Sequence, residues 1–189
     1  MEKRTTISTL GPEGTDSMRA GRYLLTVKSH GRGLVIGRES FRAALDDVVD
    51  SRANAAIMPL AYKPVQGELG FFDLLAKYDG SIHVAESFNL RTKPMVFATR
   101  PRRDLASVRT VASHPSTAGL VPQGYSIVEI NSKPSCVEAV LNGQAYACIG
   151  SLDVAVERGL EIVREYKGNP MTWLVFKRIP KQYEEVEFR

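Results

Sequence analysis

Short apolar segments alternate with amphipathic segments along this chain, and that alternation limits the possible folds more than any other feature. In the first half, the strand-like segments are residues 5–10, 33–36, 55–59, 82–87 and 95–98. The second half has strand-like segments at residues 108–112, 127–130, 147–149, 160–165 and 172–177. Strands that alternate with helices favour sheets with right-handed crossover connections. The sequence therefore predicts two α/β lobes.

Helical spacing lies between several of these strands. Ser40 precedes apolar residues at i, i+3, i+4, i+7 and i+8, namely Phe41, Ala44, Leu45, Val48 and Val49. An earlier helix is expected to start after Thr15 or Asp16 and to bury Met18, Tyr23, Leu24 and Val27. Further helices are expected at residues 69–78, at residues 134–143, and from a Ser151 cap to Gly159.

The composition is typical of a folded, water-soluble protein. Of the 189 residues, 43% are hydrophobic and 24% are charged, which excludes disordered, collagen-like and coiled-coil chains. No run of 18 apolar residues occurs, and no apolar stretch follows the basic start of the chain. We therefore expect neither a membrane span nor a secretory signal, and a cytoplasmic location.

Charge and cysteine content limit the partners. The 25 basic and 21 acidic residues give a net charge of +4, which permits an anionic partner without identifying it. Arg100, Arg102 and Arg103 form a dense basic cluster without interleaved aromatic residues, so we expect a solvated loop and no nucleic-acid site. Cys136 and Cys148 lack the spacing of a zinc or disulfide site, and we expect buried free thiols and no metal.

The first strand is followed by the segment Gly11–Ser17, which reads GPEGTDS. Backbone N–H groups and the hydroxyls of Thr15 and Ser17 at a helix start could bind an anion. An ordinary turn and helix cap explains the same residues equally well. The segment is not a Walker phosphate loop, because no Lys-Ser or Lys-Thr follows the glycines.

Other strand ends carry further candidates. Asn131, Ser132 and Ser135 offer donors at a second helix start, although simple capping also accounts for them. His114 could act as an acid or base near neutral pH, or could be a structural histidine. Tyr62 and Lys63 lie in the loop after residue 59, where Lys63 could pair with a carboxylate. Trp173 is the only tryptophan, and core packing is its simplest role.

Several segments together resemble the catalytic domain of prephenate dehydratases over about residues 5–177. They are TLGPEGT, AIMPLAYKPVQGELGFFDLL, ASHPS, INSKPSCVEAV followed by CIGS, and NPMTWLVF. The resemblance implies a two-lobed fold of the type II periplasmic-binding-protein kind, with prephenate in the cleft and no ACT domain in this chain. It predicts one catalytic domain over residues 1–189, with one lobe at about 1–90 plus 166–189 and the other at about 91–165. A homodimer is kept as an option for its assembly.

The chain departs from the dehydratase pattern at two places. Dehydratases carry Thr-Arg-Phe in the last strand, where this chain has Met171-Thr172-Trp173 and no arginine in either register. After Pro59, the usual Ile-Glu-Asn-Ser is replaced by Leu60-Ala61-Tyr62-Lys63. With these departures the chain is similar to the non-aromatising prephenate decarboxylases of bacilysin-type pathways, which lead to anticapsin or tetrahydrotyrosine-like products.

The resemblance implies that prephenate loses its ring carboxylate as CO2 while keeping its C4 hydroxyl, because the acid that expels that hydroxyl is missing. The product would be a dihydro-4-hydroxyphenylpyruvate. No cofactor is implied, because the substrate contains its own electron sink. The alternatives are an ordinary dehydratase with Thr172 as its acid and a catalytically silent protein that binds a carboxylate ligand.

Three residues are candidate proton donors that the sequence does not separate, namely His114, Tyr62 and Glu13. The expected substrate-binding residues are Gly11, Pro12, Gly14, Thr15, Ser17, Lys63, Ser113, Asn131, Ser132, Ser135, Met171, Thr172 and Trp173. Within that set, Gly14, Thr15 and the two serines at positions 132 and 135 would hold the pyruvyl carboxylate. Trp173 and Met171 would form an apolar wall around the departing carboxylate.

Overall fold

A computed structural model describes residues 4–102, 106 and 109–180 of the chain. The strands are β1 (Thr5–Leu10), β2 (Gly33–Arg38), β3 (Ala55–Pro59), β4 (Ile82–Asn89), β5 (Met95–Thr99), β6 (Thr110–Ser113), β7 (Ser126–Glu129), β8 (Ala147–Ser151), β9 (Glu161–Tyr166) and β10 (Thr172–Arg178). The helices are α1 (Asp16–Ser29), α2 (Phe41–Val49), α3 (Phe71–Lys77), α4 (Lys133–Leu141) and α5 (Leu152–Glu157), with a 3-10 helix at Pro115–Leu120.

These elements form two compact units. Among the described residues, the first unit comprises 4–62, 69–90 and 171–180, and the second comprises 63–68 and 91–170. None of the described helices is both long and apolar enough to cross a membrane. The expected charged tail at 181–189, Arg103 of the basic cluster and Val108 lie outside the described residues.

The first unit contains a five-stranded sheet in the order β2-β1-β3-β10-β4. Strand β1 runs parallel to β2 and β3, whereas β10 runs antiparallel to both β3 and β4. The beginning of β10 therefore lies beside the end of β3, where Trp173 pairs with Pro59. We call this side of the sheet the first carboxyl edge, because β1, β2 and β3 all end there.

The helices of this unit pack on the sheet through apolar faces. The α2 face agrees with its prediction: its apolar residues at positions 41, 44, 45 and 48 are buried, and Val49 packs at the margin. For α1 the predicted face was partly wrong, because Tyr23 and Val27 are 41% and 55% exposed. The helix instead buries Ala20 and Gly21, and a Cβ on Gly21 would lie 2.7 Å from a methyl group of Val35. Small residues let the helix approach β2 closely, so the face centred on them is the buried one.

The second unit contains a sheet in the order β7-β6-β8-β5-β9. Strand β6 is parallel to β7 and β8, and β5 is antiparallel to β8 and β9. The end of β6 at Ser113 thus lies beside the end of β7 at Glu129. We call this side the second carboxyl edge. Both cysteines, one on α4 and one in β8, are free and fully buried, as predicted, and burial raises the pKa of both thiols, that of Cys148 to about 12.

Two expectations about polar residues change in this unit. Ser151 lies at the buried end of β8 and occupies the N-cap position of α5, but its side chain makes no capping hydrogen bond. Arg100 is not a solvated loop cation: its guanidinium donates to the carbonyls of Val140 and Leu141, 3.1 and 2.5 Å away. Both carbonyls lie at the end of α4, where the Val140 carbonyl also accepts the Gly143 N–H, so Arg100 adds hydrogen bonds to the carboxyl end of that helix.

Candidate functional site

The loop after β1 leads directly into α1 at the first carboxyl edge. Gly14 has a positive φ of 87°, a backbone conformation that favours glycine. Thr15 is the N-cap of α1: its Oγ1 accepts the Met18 N–H at 3.2 Å and donates to the Leu10 carbonyl at 3.1 Å. The Thr15 hydroxyl therefore donates one hydrogen bond and accepts another within the protein. Its geometry is that of a structural cap.

Ser17 lies in the first turn of the same helix and differs from Thr15. Its side chain is buried, with 6% relative exposure, yet it has no hydrogen-bond partner among the described residues. The N-terminal turn of a helix directs its backbone N–H groups and positive dipole end outward. Ser17 thus adds an unused hydroxyl to a position that already favours an anion.

Glu13 lies in the same loop, where its side chain forms a surface ion pair. Its carboxylate forms an ion pair with Arg22 of α1 and accepts the Gly14 N–H at 3.2 Å. The pair is exposed, with 65% of the Glu13 side chain accessible. The Glu13 carboxylate raises the pKa of Arg22 through their hydrogen bond.

The beginning of β10 forms another part of the first edge. The Thr172 hydroxyl donates to Asn89 Oδ1 on β4 at 2.9 Å, and its carbonyl accepts the Leu60 N–H at 2.9 Å. The Trp173 indole N–H donates to the Leu90 carbonyl at 3.0 Å. Trp173 is only 1% exposed and packs in a cluster with Ile7, so core packing, the simplest of its predicted roles, is what the side chain does.

Met171 and Tyr62 complete the first edge. Met171 is half-buried beside the Trp173 cluster. Tyr62 follows β3 and packs edge-on against Phe41, with ring centroids 4.7 Å apart. Both side chains keep part of their surface accessible, so they differ in this respect from Trp173.

The second carboxyl edge contains the Ser-His-Pro segment. Ser113 is fully buried, and its Oγ lies 3.0 Å from Thr117 Oγ1. His114 is half-buried and caps the 3-10 helix: its Nδ1 accepts the Ser116 N–H at 3.1 Å and lies 2.8 Å from Ser116 Oγ. Because Nδ1 accepts a backbone hydrogen bond, the neutral imidazole carries its proton on Nε2.

A second group of donors lies beside this segment. Ser132 is the N-cap of α4, where its Oγ accepts the Ser135 N–H at 3.1 Å and lies 2.6 Å from Ser135 Oγ. Asn131 precedes it and is exposed. Lys63 is also exposed, and its segment is tied to this edge by the Gln66 N–H, which donates to Glu129 at 3.0 Å.

The fold therefore collects the sequence candidates at two edges. Residues 11–17, Tyr62 and residues 171–173 lie at the first edge, whereas Ser113, His114 and residues 131–135 lie at the second. Sequence reasoning missed Arg22, Asn89 and Ser116, which contact Glu13, Thr172 and His114. Only the Ser116 position carries a local signal, because a residue two places after a cap often donates back to it. The Asn89 contact spans 83 positions and has no signal in the spacing.

Comparison with known proteins identifies the family of this chain. A model of the prephenate dehydratase family matches residues 7–169. The prephenate decarboxylase of Bacillus subtilis strain 168 is 24% identical over 187 residues, covering 93% of this chain and 88% of that protein. The prephenate dehydratase of Amycolatopsis methanolica is 30% identical over 159 residues, covering 80% of this chain and 49% of that protein. The chain thus spans about half the length of this dehydratase.

The solved structures agree with the predicted fold class. The prephenate dehydratase of Arthrobacter aurescens, solved in complex with L-Phe, matches with a TM-score of 0.64 and 18% identity, covering 93% of this chain and 60% of that one. The expected two α/β lobes of a dehydratase catalytic domain are confirmed, and so is the resemblance drawn from the motifs. Because the family model covers most of its length, this chain belongs to the prephenate dehydratase family.

Proposed function

We propose that this protein is a non-aromatising prephenate decarboxylase. The proposal rests on the sequence and the hydrogen bonds at the beginning of the last strand, β10. The dehydratase Thr-Arg-Phe is absent, and the Thr172 hydroxyl already donates to Asn89 Oδ1. A hydroxyl whose proton is held by an amide oxygen is poorly placed to protonate a leaving group. The relatives named prephenate decarboxylase, which match along most of both chains, support the same proposal.

The chemistry follows from the electrons released when the ring carboxylate leaves. The C–C bond to that carboxylate breaks, CO2 departs, and the electron pair moves into the ring diene. If an acid protonates the C4 hydroxyl, water leaves and the ring becomes aromatic. If an acid instead protonates a ring alkene carbon, the hydroxyl stays and a dihydro-4-hydroxyphenylpyruvate forms. Such a product suits a bacilysin-type pathway that builds anticapsin or tetrahydrotyrosine-like compounds.

The residues at the first edge suit the ionic and apolar parts of the substrate. Ser17 and the start of α1 would hold the pyruvyl carboxylate, because an unused hydroxyl there adds to the helix dipole. We assign the apolar wall to Met171, since Trp173 is enclosed by protein atoms. A poorly solvated carboxylate loses CO2 more readily. The donors Ser132 and Ser135 at the second edge form a separate group of candidate ligands, to be tested by their own variants.

Among the three candidate acids, His114 fits the role best. Its Nδ1 is held by the Ser116 N–H, which orients the ring and makes Nε2 the nitrogen that would deliver a proton. Glu13 is a surface carboxylate that is already held by the Arg22 guanidinium, so it is poorly placed to reach a substrate. Tyr62 remains the second choice. We expect His114→Gln to lower kcat by about 10²-fold or more with little effect on folding, which circular dichroism would check. Equal kcat values for Tyr62→Phe and the parent would support His114, and the reverse pattern would transfer the role to Tyr62.

The product identifies the reaction. Incubation with prephenate should release CO2 and yield a product heavier than phenylpyruvate by one water, without the ultraviolet absorption of an aromatic ring. Mass spectrometry and CO2 release measure both, with heat-denatured protein as the control for spontaneous decay. Phenylpyruvate above that background would favour the dehydratase. Thermal stabilisation by prephenate without any turnover would favour the silent binding protein.

A further inference from the structure

Asn89 is the last residue of β4 and lies directly opposite Thr172, the first residue of β10. Residues opposite each other in an antiparallel pair have their side chains on one face of the sheet, with Cβ atoms about 4.5–5.5 Å apart. The Thr172 hydroxyl donates to Asn89 Oδ1 at 2.9 Å and has no second hydrogen-bond partner among the described residues. Within the described part of the chain, Asn89 is therefore the group that directs this proton.

The backbone around Thr172 is held in place. The Thr172 carbonyl accepts the Leu60 N–H at 2.9 Å. The next residue, Trp173, is buried, and its indole N–H donates to the Leu90 carbonyl at 3.0 Å. Rotation of the Thr172 side chain is the freedom that remains, and a β-branched side chain has few χ1 rotamers. The hydrogen bond to Asn89 therefore selects one direction for the hydroxyl.

Core packing does not explain Asn89. Its side chain is exposed and Thr172 is only partly buried, so the hydrogen bond between them lies at the surface of the first carboxyl edge. Asparagine is also depleted in β-strands, so strand propensity does not favour it at this position. The interaction that the structure shows for the Asn89 side chain is the one with the Thr172 hydroxyl.

The direction of the Thr172 proton bears on which product forms. Both products require the bond to the ring carboxylate to break, with CO2 leaving and the electron pair entering the ring. Aromatisation also requires the C4–O bond to break, and an acid that donates to the leaving oxygen converts it into water. A hydroxyl that donates to an amide oxygen does not supply that proton.

We propose that Asn89 is a specificity-determining residue that keeps Thr172 from acting as an acid and so preserves the C4 hydroxyl of the product. This role rests on the proposed function, because it concerns which of two products forms. Asn89 acts through Thr172 and is a positioning residue. Without the amide oxygen, the Thr172 proton passes to the leaving C4 oxygen, the C4–O bond breaks, and water and phenylpyruvate form. A solvent proton then restores the threonine hydroxyl.

The product ratio of Asn89→Leu tests this role, with the full chain and prephenate as substrate. Leucine has a similar branched shape but no hydrogen-bond acceptor. After subtraction of spontaneous decay, the fraction of phenylpyruvate should rise at least about tenfold, because a positioned acid accelerates its step by about 10²-fold or more. Asn89→Asp keeps an acceptor oxygen and should keep the parent ratio. So should the matched control Ser87→Leu, at an exposed position on the same face of β4.

The double variant Asn89→Leu/Thr172→Val shows whether Thr172 carries the effect. Valine has no proton to donate, so the product ratio should return to that of the parent. A merely structural role of Asn89 would lower the activity of the variants without changing the ratio. Asn89→Ala also lacks the acceptor and replaces Asn89→Leu if circular dichroism shows that the leucine variant is unfolded.

The parent protein separates failure of this role from failure of the proposed function. If the parent makes the dihydro product, an unchanged ratio in folded Asn89→Leu or Asn89→Ala overturns the role of Asn89 alone. A raised ratio that persists in the double variant does the same. A parent that makes phenylpyruvate above spontaneous decay, or that leaves prephenate unchanged, overturns the proposed function and the role of Asn89 with it.

Discussion

Asp47 is a buried carboxylate at the centre of a network that joins β1, β2 and α2. Only 1% exposed, it accepts hydrogen bonds from Ser8 at 2.7 Å, from Arg38 at 2.6 Å and from Arg52 at 2.8 Å. Burial alone would raise the pKa of Asp47, but these hydrogen bonds outweigh it and lower the pKa to about 2. The folded state therefore holds the charged form more strongly than the unfolded chain does.

This pKa gives a prediction about acid stability. A carboxyl group with a lowered folded-state pKa stabilises the protein above its unfolded value of 3.8 and loses that contribution as the pH falls toward 2. The contribution is about 2 kcal/mol at pH 7. Asp47→Asn should remove it and flatten the stability profile between about pH 4 and 2. Urea unfolding at several pH values measures this, with the exposed Asp50→Asn as control. A parent-like acid profile in Asp47→Asn would contradict the assignment.

Thr172 provides a second test at the scale of one residue. If its hydroxyl serves only to bind Asn89, Thr172→Val should lose one exposed hydrogen bond, at about 0.5–1.5 kcal/mol of stability, and keep most of its kcat. Thr172→Ser keeps the hydroxyl and is the matched control. Steady-state kinetics on prephenate compares the two. A folded valine variant without activity beside an active serine variant would make Thr172 a catalytic group and favour the dehydratase.

Two hydroxyl residues at the start of α1 differ in their hydrogen bonds. The hydroxyl of Thr15 is used twice inside the protein, whereas that of Ser17, two positions later, is not used. The sequence predicted donors at this turn from residue type. It could not assign their roles, because a cap and a ligand require the same small hydroxyl residues. The difference between the two roles depends on which hydroxyl bonds to the end of β1, and the Thr15 hydroxyl does so through the Leu10 carbonyl.

The two hydroxyls should therefore respond differently to removal. Thr15→Ala is expected to lower the free energy of unfolding by about 0.5–2 kcal/mol, the cost of a lost cap. Ser17→Ala should leave stability within about 0.5 kcal/mol and raise KM for prephenate, because in the proposed site only the substrate bonds to that hydroxyl. Urea unfolding and steady-state kinetics on both variants separate the effects. A rise in KM confined to Thr15→Ala would reverse the two roles.

Elements differ in how much of them could be read from the sequence. The α2 face was predictable because five apolar residues repeat at helical spacing. The α1 face was not, because Ala20 and Gly21 carry little hydrophobic signal yet allow the closest approach to β2. The spacing of apolar residues reports side-chain hydrophobicity, but it does not report how closely two backbones approach. The same limit explains why the buried Trp173 could be predicted as core while its bond to Leu90 could not.

At the scale of the whole molecule, the repeated order of strands and helices was enough to predict two α/β units. The assignment of residues 63–68 to the second unit was not visible, because it depends on long-range contacts such as that between Gln66 and Glu129. The candidate site was predictable in part because strand ends are natural ligand positions. Its partners Arg22 and Asn89 were not, because they come from elements distant in the chain.

Occupancy of the proposed substrate site should stabilise the whole fold. A ligand that binds only the folded state raises the free energy of unfolding by RT ln(1 + [L]/Kd). Phenylpyruvate carries the pyruvyl carboxylate but no ring carboxylate to lose, so it can occupy the proposed substrate site without turnover. We therefore expect phenylpyruvate to raise the free energy of unfolding of the parent protein.

Urea unfolding with and without phenylpyruvate measures this. Ser17→Ala should reduce the stabilisation by phenylpyruvate, because the proposed site then lacks the hydroxyl that bonds to the carboxylate. Equal stabilisation of the parent and of folded Ser17→Ala would contradict the location of the carboxylate at the start of α1.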